Sequence, residues 1–495
     1  MLTLKIQQFK DIQRTQRALY HMESLLGYDQ AVSMPEGADD FAANTTEVIN
    51  LYQHRLMTDP ENIKLVEELI NQSDELEFQT RREAEEFSKQ QRQLQNVPEE
   101  IVSKMSAEIG AAYGAWEKAK SACDYEMFRP NLEALFSLKK EYAEYLDPEK
   151  DVYDVLLDEF EPGLTSAMLD ELFDSLEKEL VPIIRKAAGY CSSTGDAISC
   201  SVSGEKCLTE YIMDYLGIDR TRFAYAESAH PMTADFSRYD VRITSRYSEH
   251  DWIYPLYSTI HECGHALYEL SVGDSLTYSI LGHGASTAMH EAQARLLENN
   301  IGRSEAFIHA ILPAIMDNLP EAVSGLTEKE IWSTINRINP SVLRSESDEI
   351  TYPIHIMIRY RIERKLFSGE ITLDEAPELW NRLYNEYLGV EVENDAEGIL
   401  QDVHWAYGIF GYFPSYVLGN VYSAQIMEAI TKEIDVAAKI NARKVEDILG
   451  WLEKKVWKHG MLYTPAELMK DICGSEYDPQ AYIRYLKNKA NMLLG

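Results

Sequence analysis

Two histidines four residues apart lie just past the middle of the chain, in the stretch HECGH at residues 261–265. On an α-helix this spacing puts both side chains on one face, about 6 Å apart along the axis, so His261 and His265 can present two imidazoles to one metal ion. Glu262 is then not occupied as a ligand. It can take a proton from a water that the metal acidifies and pass it to a leaving nitrogen. The motif predicts metal-dependent hydrolysis.

A catalytic zinc site needs a third protein ligand, and no third histidine follows at the H-x-x-G-x-x-H spacing. Downstream, the helical run at 284–300 carries Glu291 and, seven residues later on roughly the same face, Glu298. A glutamate from a second helix completes thermolysin-type sites, so Glu291 is the preferred third ligand and Glu298 is its alternative. Glu269, two turns beyond His261, is predicted to support the site rather than to bind the ion.

The alternative to a metal site is a pair of hydrogen-bonded core histidines. The surrounding stretch WIYPLYSTIHECGHALYELSVG at 252–273 is typical of an apolar helix, in which polar groups are costly unless something satisfies them. This context favours the metal site. Cys263 lies between the histidines but points away from them, so we expect it to be a packing residue.

The composition excludes several classes of partner. Of 495 residues, 45% are hydrophobic and 26% charged, which is typical of a folded globular protein. The 47 basic and 82 acidic residues give a formal net charge of −35, without a dense Lys/Arg block. This charge argues against nucleic acid and against anionic membrane surfaces as partners.

The cysteine spacing and the amino-terminal residues indicate the cellular compartment of the protein. The 6 cysteines form no C-x-x-C pair, so free thiols in a reducing environment are expected. The first residues, MLTLKIQQFKDIQRTQ, contain no apolar h-region, and the chain contains no run of eighteen apolar residues. The sequence therefore predicts a soluble, cytoplasmic protein.

Helical periodicity dominates the chain, with apolar residues recurring every three or four positions at 9–30 and 168–189 and an apolar helix ending on Ser-Gly at 348–369. Strand signals lie at about 222–256. There DVRITSRY at 240–247 alternates apolar with polar residues, and WIYPLY follows. A mainly α fold with one small β-sheet beside the histidine motif is predicted. Residues 190–207, rich in Ser, Gly and Cys, are expected to form a surface excursion.

Several further motifs occur in a recognisable order. They are HPM at 230–232, DVRIT at 240–244, HECGH at 261–265, HEAQA at 290–294, LRSESD at 343–348 and GILQDVHW at 398–405. With these motifs the chain resembles the Taq-type thermostable metallocarboxypeptidases, the M32 peptidases, over nearly its whole length. The resemblance implies that His261, His265 and Glu291 bind the metal and that Glu262 acts as general base and acid.

The resemblance also implies that Arg344, in the family's I-R-x-x-A-D motif, receives the terminal carboxylate of the substrate. A guanidinium offers two parallel N–H donors that match a carboxylate, which agrees with this role. Without the family context, the alternative is an arginine paired with Glu346 or Asp348 at a helix start. Ser347 replaces the usual alanine of the motif and leaves Arg344 in place.

His404, in the motif G-x-x-Q-D-x-H-W, is expected near the scissile carbonyl, where a donor stabilises the developing oxyanion. Tyr412 and Tyr416 are alternative sources of a phenolic donor for the same purpose, and a structural role for either tyrosine is also open. Gln401 and Asp402 are expected to support this segment.

Arg242 and Thr244 carry the DVRIT match. They are predicted to lie on the solvent-facing side of a short strand, and an edge strand beside a metal site can pair with an extended peptide. Whether they contact substrate or only buttress the site is left open by the sequence, with Arg242 the candidate for substrate binding. Met232 replaces the usual phenylalanine of the His-Pro-Phe motif, which alters the expected shape of the cleft.

The combined expectation is a large helical, cleft-containing metallopeptidase fold in a single domain over residues 1–495. Within it we expect a small sheet at about 220–256 and catalytic helices at 258–420, and the resemblance implies that the N-terminal helices at about 1–140 form a lid. One divalent metal is expected per chain, zinc by default with cobalt or manganese as alternatives. The predicted partners are peptides with a free C-terminal carboxylate, and the resemblance implies a homodimer.

Two rival functions remain open at this stage. An endopeptidase or dipeptidyl carboxypeptidase would use the same zinc chemistry, and the role of Arg344 separates it from a carboxypeptidase. A catalytically silent, acidic helical binding protein would bind no metal and would be indifferent to Glu262→Gln.

Overall fold

The structure is a computed structural model that describes residues 2–188 and 200–495. Most of the predicted surface excursion at 190–207 lies outside the described residues, and so does Cys191. The described cysteines are all free thiols, as predicted; they are Cys123, Cys200, Cys207, Cys263 and Cys473. In this part of the chain, no helix combines the length and the apolar character needed to cross a membrane.

The described residues are mainly helical. The α-helices are α1 (Leu2–Val32), α2 (Asp39–Thr58), α3 (Pro60–Ile70), α4 (Phe78–Asn96), α5 (Glu99–Ala122), α6 (Arg129–Leu146), α7 (Val152–Asp158), α8 (Ser166–Ala188), α9 (Val202–Tyr215), α10 (Ile253–Ser271), α11 (Thr287–Arg295), α12 (Glu305–Asn318), α13 (Pro320–Val323), α14 (Glu328–Ile335), α15 (Tyr352–Ser368), α16 (Ala376–Leu388), α17 (Phe413–Glu433), α18 (Val436–Asn441), α19 (Glu446–Lys455), α20 (Pro465–Cys473) and α21 (Pro479–Leu494). The strands are β1 (Phe223–Glu227), β2 (Thr233–Ser237) and β3 (Asp240–Ser245). The predicted fold class, mainly α with one small sheet, is confirmed.

The contacts divide the chain into two compact units. Unit 1 consists of Met1–Gln95, Gly195–Ile335 and Tyr422–Tyr477. Unit 2 consists of Asn96–Thr194, Asn336–Val421 and Asp478–Gly495. The single domain over 1–495, the lid at about 1–140 and the catalytic helices at 258–420 stay predictions.

In unit 1, helices α1 to α4 share a core with the segment that follows α10. Phe9 and Phe87 pack edge to face with their ring centroids 5.4 Å apart, and Val272 and Leu276 belong to the same buried cluster. Both phenylalanine side chains are completely buried, and burial of such a side chain contributes about 2–3 kcal/mol. This cluster holds the N-terminal helices against the end of the helix that carries the histidine motif.

The sheet of unit 1 has the strand order β1-β3-β2, with β1 parallel and β2 antiparallel to β3. It is shorter than the predicted 220–256, because the last strand ends at Ser245 and Trp252 already precedes the first turn of α10. The carboxylate of Asp251 accepts hydrogen bonds from the amides of Ile253 and Tyr254 at 3.0 and 3.1 Å. Such bonds stabilise a helix start, which explains why WIYPLY is helical.

The sheet also corrects the prediction that Thr244 faces solvent. Thr244 is completely buried, and its hydroxyl accepts hydrogen bonds from the Ser228 hydroxyl at 2.6 Å and the Met232 amide at 3.1 Å. Because β3 is the central strand and residues 228–232 cover it, its polar side chains are satisfied inside the protein.

In unit 2, helix α15 is buried over most of its length, as predicted for 348–369, and it ends at Gly369 with φ +75°. His355, Arg359 and Glu363 follow one another at four-residue spacing along it, and all three side chains are completely buried. Residues at this spacing lie on one helix face. The helix therefore carries a polar stripe into the interior of unit 2.

Candidate metal centre and arginine centre

Close packing of α10 against α11 assembles a cluster of possible metal ligands in unit 1. A Cβ atom placed on Gly264 would lie only 2.5 Å from the Cα of Ala294, so glycine is needed where the two helix backbones approach. This approach brings His261 and His265 of α10 next to Glu291 of α11. We call these three side chains, together with Glu262, the metal centre.

The ligand atoms of the metal centre converge on one point. The Nε2 atoms of His261 and His265 lie 3.2 Å apart, and Oε2 of Glu291 lies 3.7 Å from the first and 3.8 Å from the second. A tetrahedral zinc ion with bonds of about 2.0–2.2 Å holds its ligand atoms about 3.4 Å apart. Two imidazoles and one carboxylate at these separations therefore fit a divalent metal.

The second ring nitrogen of His261 is bound by a carboxylate. Its Nδ1 lies 3.0 Å from Oε2 of Glu298, and Glu298 accepts hydrogen bonds from Arg295 at 3.0 Å and Arg303 at 3.2 Å. Burial alone would raise the pKa of Glu298, but the charges of the arginines and the bond to His261 hold it well below its usual range. Glu298 thus contacts the side of the imidazole that faces away from Glu291.

This arrangement separates the two candidates for the third ligand. Glu291 faces both Nε2 atoms, whereas Glu298, in the π-helical segment Leu296–Gly302, faces Nδ1 of His261. The geometry therefore supports Glu291 as the third ligand. Arg295, which also donates to Glu291 at 2.7 Å, was not singled out in the sequence; its four-residue spacing from Glu291 is the signal that could have found it.

The second ring nitrogen of His265 is bound differently. Its Nδ1 lies 2.5 Å from Nδ1 of His290, and Nε2 of His290 lies 2.8 Å from Oε1 of Glu269. Burial and the neighbouring imidazoles hold the pKa of His265 well below its usual range. His265 is therefore neutral, as a metal ligand must be, and Glu269 has no direct bond to it.

Glu262, the fourth residue of the metal centre, accepts a hydrogen bond from a side chain of strand β2. Its Oε2 accepts a bond from the Thr233 hydroxyl at 2.6 Å, and the residue is 8% exposed. Burial raises the pKa of Glu262, although the charge of His261 and the bond from Thr233 oppose this. Thr233 was missed in the sequence, where its only signal is that it follows the HPM motif directly.

Cys263, between the two histidines, is completely buried. Burial raises the pKa of its thiol, so the thiol stays protonated and unreactive. This agrees with the predicted packing role.

A second group of possible ligands lies near the metal centre. Ligand atoms of Asp235, Glu269 and His283 all lie within 4.8 Å of one another. However, Nδ1 of His283 already lies 2.8 Å from Oδ2 of Asp235, and the Arg17 guanidinium is close enough to interact with both carboxylates. The side chains of this group therefore already have partners within the protein.

Arg344 lies in unit 2, where a carboxylate holds it. Its Nε and Nη2 donate to Oδ1 of Asp402 at 3.0 and 2.7 Å, and the other oxygen of Asp402 accepts a bond from Nε of Arg359 at 2.6 Å. We call these residues, together with His404 and Tyr416, the arginine centre. Burial alone would raise the pKa of Asp402, but the two guanidinium charges hold it well below its usual range.

The partner of Arg344 corrects one alternative from the sequence. Among the described residues its ion-pair partner is Asp402, so the suggested pairing with Glu346 or Asp348 is wrong. Asp348 instead accepts hydrogen bonds from the amides of Ile350 and Thr351, at the start of α15.

Gln401 supports the same segment through both ends of its amide. Its oxygen accepts a bond from the Arg344 backbone at 3.0 Å, and its nitrogen donates to the carbonyls of Val342 and Glu397 at 3.1 and 2.8 Å. The backbone around Arg344 is therefore fixed, in agreement with the expected supporting role.

His404 lies beside both candidate tyrosines. Its Nε2 is 3.4 Å from the hydroxyl of Tyr416, and its ring centroid is 5.6 Å from that of Tyr412. Burial lowers the pKa of His404 to about 4, although the charge of Asp402 opposes this. A neutral imidazole at neutral pH can donate one N–H without carrying a permanent charge.

Arg242 of β3 belongs to unit 1, where its guanidinium is already engaged. It donates to both oxygens of Asp240, at 2.9 and 2.7 Å, and lies 4.6 Å from the ring centroid of Phe236 and 5.2 Å from that of Tyr28. These contacts favour a supporting role; substrate binding by Arg242 stays a prediction.

Comparison with known proteins relates these centres to a family. Residues 8–490 match the family model described as Carboxypeptidase Taq (M32) metallopeptidase. Carboxypeptidase 1 of Bacillus subtilis is 34% identical over 474 residues, and thermostable carboxypeptidase 1 of Pyrococcus furiosus is 35% identical over 479 residues; each match covers 95% of both chains.

A solved structure gives the same relation at the level of the fold. The crystal structure of the M32 carboxypeptidase from Deinococcus radiodurans R1 superimposes with a TM-score of 0.96 at 31% identity, covering 99% of both chains. Sequence and fold therefore agree over nearly the whole length. The chain belongs to the carboxypeptidase Taq (M32) family and is a metal-dependent carboxypeptidase.

Proposed function

We propose that this enzyme releases single amino acids from peptides that end in a free carboxylate, with one divalent metal held by His261, His265 and Glu291. The observation that carries the proposal is the convergence of the three ligand atoms at 3.2–3.8 Å, with the carboxylate of Glu262 on the same helix. The rival with core histidines does not account for a donor set of this geometry.

Each residue of the metal centre has a distinct task in this proposal. A divalent ion at the three ligand atoms supplies Lewis acidity to water and to the scissile carbonyl. Glu262 removes a proton from the attacking water and delivers it to the leaving nitrogen. The hydrogen bond from Thr233 orients the Glu262 carboxylate, so that one oxygen stays available for the proton.

Arg344 is proposed to bind the terminal carboxylate. Asp402 engages its Nε and one proton of Nη2, and the guanidinium has five N–H donors in total. The remaining donors on Nη1 and Nη2 match a second carboxylate. Recognition of a free C-terminus by this group distinguishes a carboxypeptidase from an endopeptidase.

His404 and one tyrosine are proposed to donate hydrogen bonds to the carbonyl oxygen as negative charge develops on it. Neutral His404 provides an N–H for this purpose, and preorganised donors of this kind contribute about 3–4 kcal/mol to transition-state stabilisation. We favour Tyr416 for this role, because its hydroxyl lies 3.4 Å from Nε2 of His404.

The experiment that tests the reaction is mass spectrometry of a free-acid peptide and its C-terminal amide, each incubated with the enzyme. We expect a ladder of single-residue losses from the free acid only, abolished by chelator and restored by added metal. Internal cuts in both peptides would replace the proposal with an endopeptidase. Release of residue pairs from the free acid would indicate a dipeptidyl carboxypeptidase.

Variants then test the individual roles. Glu262→Gln should keep its metal, measured by elemental analysis, and lose turnover by about a thousandfold or more, because general acid–base catalysis is removed. Glu305→Gln, at an exposed position on α12, is the matched control and should behave as wild type. Arg344→Ala should lose activity on free acids; unchanged discrimination between acid and amide would exclude its proposed role.

The remaining finer assignments are also proposals. Zinc is the default metal for this donor set, and cobalt and manganese are alternatives that elemental analysis of the purified protein distinguishes. The homodimer is implied by the family resemblance and is tested by analytical ultracentrifugation. The cytoplasmic location is tested by cell fractionation.

A further inference from the structure

His290 precedes the proposed ligand Glu291 but has a different environment. Its Nδ1 lies 2.5 Å from Nδ1 of His265, and its Nε2 lies 2.8 Å from Oε1 of Glu269. The side chains of Glu269, His290 and His265 form one continuous line of hydrogen bonds. The line ends at Nδ1 of His265, the ring nitrogen that is not directed at the other metal ligands. The catalytic scheme above does not use His290 or Glu269.

The direction of each hydrogen bond follows from the chemistry of His265. A metal bound at Nε2 requires the lone pair there, so the ring proton of neutral His265 must be on Nδ1. That proton has Nδ1 of His290 as its acceptor, which must then carry a lone pair. The proton of neutral His290 is therefore on Nε2, where it is donated to the Glu269 carboxylate.

The outer end of this line is fixed by packing. Glu269 is 3% exposed, and its Oε1 also accepts a bond from the Gly284 amide at 2.9 Å. A Cβ atom on Gly284 would lie 2.7 Å from Cδ2 of His290, so the imidazole ring fills the space beside that glycine. Neither the carboxylate nor the ring can turn away without disturbing its neighbours.

We propose that His290 and Glu269 are positioning residues for the ligand His265, which they hold as the Nδ1–H tautomer with its Nε2 lone pair directed at the metal. This inference rests on the proposed function, since it needs a metal at Nε2 of His265. His290 acts as a relay, because it accepts from the ligand and donates to the carboxylate. Residues that orient a ligand in this way typically change metal affinity about tenfold to a hundredfold when they are replaced.

The test measures the zinc dissociation constant of the full-length protein by competition with a chromogenic chelator. His290→Phe keeps the ring but removes both nitrogens, and we expect its affinity to fall about tenfold to a hundredfold. His290→Gln offers an amide oxygen to His265 and an amide N–H to Glu269, so it should recover most of the affinity. A purely space-filling role predicts the opposite order, with phenylalanine better than glutamine.

A neighbouring histidine provides the matched control. His283 lies in the same region, with its Nδ1 bound to Asp235 at 2.8 Å and 3.9 Å from Oε2 of Glu269, but it is not part of the line to His265. His283→Phe should change zinc affinity by less than about threefold. An equal loss in both phenylalanine variants would overturn the relay, because the effect would then come from general disturbance of the region.

Two further measurements keep the outcome decisive. If His290→Phe fails to fold, as judged by circular dichroism, Glu269→Gln replaces it and should weaken zinc binding about tenfold by removing the negative charge that faces His290. Wild-type zinc affinity in the folded variants would overturn the relay. The proposed function would still stand in that case, provided that zinc binding depends on His265. Failure of wild-type protein to bind zinc, cobalt or manganese would overturn the proposed function itself, and the relay with it.

Discussion

A buried carboxylate that accepts hydrogen bonds from two arginines lies beside the metal centre, and another lies in the arginine centre. Beside the metal centre it is Glu298, whose arginines lie three and five residues away in the sequence. In the arginine centre it is Asp402, whose arginines lie 58 and 43 residues away. In both, burial alone would raise the pKa of the carboxyl, and the guanidinium charges hold it well below its usual range.

The two carboxylates serve different groups. Glu298 completes its set of partners with the imidazole of His261, so the charge of Glu298 acts on a ligand that itself binds the ion. Asp402 contacts Arg344 directly, and thus orients the guanidinium that is proposed to meet the substrate. A buried carboxylate that is bound by two arginines therefore stays ionised at both sites. Only in the arginine centre is one of those arginines, Arg344, itself proposed to bind the substrate.

A third buried carboxylate shows that the arginines, and not burial, cause this behaviour. Glu363 accepts hydrogen bonds from Tyr153, Trp405 and the Gly411 amide at 2.8, 2.6 and 3.0 Å, and all three donors are uncharged. Burial raises the pKa of Glu363 to about 7 despite these bonds and the charge of Arg359, which donates no hydrogen bond to it. Uncharged donors thus do not offset the desolvation of a carboxylate that guanidinium groups offset elsewhere.

The largest expected effect comes from removing the carboxylate of the arginine centre. Asp402→Asn leaves Arg344 and the completely buried Arg359 close together without a counter-charge. Breaking a buried ion pair from one side costs about 3–5 kcal/mol. We expect a large drop in unfolding temperature by differential scanning calorimetry, together with weaker binding of free-acid peptides.

An exposed pair on the same helix provides the control. Arg361 of α15 pairs with Asp174 at 2.9 Å, and the side chain of Asp174 is 75% exposed. Asp174→Asn should change the unfolding temperature little, because such pairs contribute about 0–1 kcal/mol. If Asp402→Asn were as mild as this control, the arginine centre would not depend on its carboxylate.

The second prediction concerns pH and uses Glu363. Its pKa is raised from 4.5 to about 7 in the folded protein, so the folded state holds a proton that the unfolded state releases between these pH values. The contribution of this group to stability is complete below pH 4.5 and is lost as pH rises through about 7. With about 1.4 kcal/mol for each pKa unit, the contribution is at most about 3 kcal/mol.

The measurement compares the unfolding temperatures of wild type and Glu363→Gln from pH 5 to pH 8. Glutamine cannot titrate, so the deficit of the variant relative to wild type should be larger at pH 5 than at pH 8. Comparing the two profiles cancels the titration of all other groups. A deficit that does not change with pH would contradict the prediction, because it would mean that Glu363 does not titrate in this range.

The sequence predicted the parts of the molecule that rest on local spacing. HECGH defined two imidazoles on one helix face, and periodicity located α15. It also placed Glu269 on the same helix as His261, because its distance along that helix could be counted, and the supporting role of Glu269 stays a prediction. For the same reason Glu291 and Glu298 were both found, with Glu291 preferred as the third ligand; in the structure Glu298, in the π-helical segment Leu296–Gly302, faces Nδ1 of His261 instead.

The sequence could not predict pairings that depend on the fold. Nothing near Arg344 in the chain indicates that its partner is Asp402 rather than Asp348, since the pairing follows from how the turn Arg344–Glu346 and the 398–405 segment meet inside unit 2. Thr244 was misplaced because alternation alone cannot tell a half-exposed strand from one that is covered on both faces.

The third prediction tests Glu298, the carboxylate beside the metal centre that contacts His261. Glu298→Gln removes the charge that faces His261, while Arg295 keeps its bond to Glu291 and Arg303 keeps its bond to the Ile335 carbonyl. Zinc affinity should fall about tenfold to a hundredfold, with a smaller loss of stability than Asp402→Asn because the arginines retain partners. Chelator competition measures the affinity.

An exposed carboxylate–histidine pair in unit 1 is the matched control for this variant. His309 lies 3.1 Å from Glu328, and the two side chains are 63% and 43% exposed. Glu328→Gln should leave zinc affinity unchanged. Equal effects in the two variants would mean that Glu298 acts only through the net charge of the protein.

The smallest effect on activity is expected at Arg242, whose guanidinium is bound by a single carboxylate, that of Asp240. Arg242→Lys loses the two-point contact with that carboxylate and the guanidinium contact over the Phe236 ring, but its charge remains. If Arg242 only buttresses the sheet, kcat/KM for a free-acid peptide changes by less than about threefold, whereas Arg344→Lys lowers it far more. A comparable rise in KM in both variants would instead show that Arg242 binds substrate. Arg242 and Arg344 would then both be substrate-binding residues, and the proposed contrast between them would be wrong.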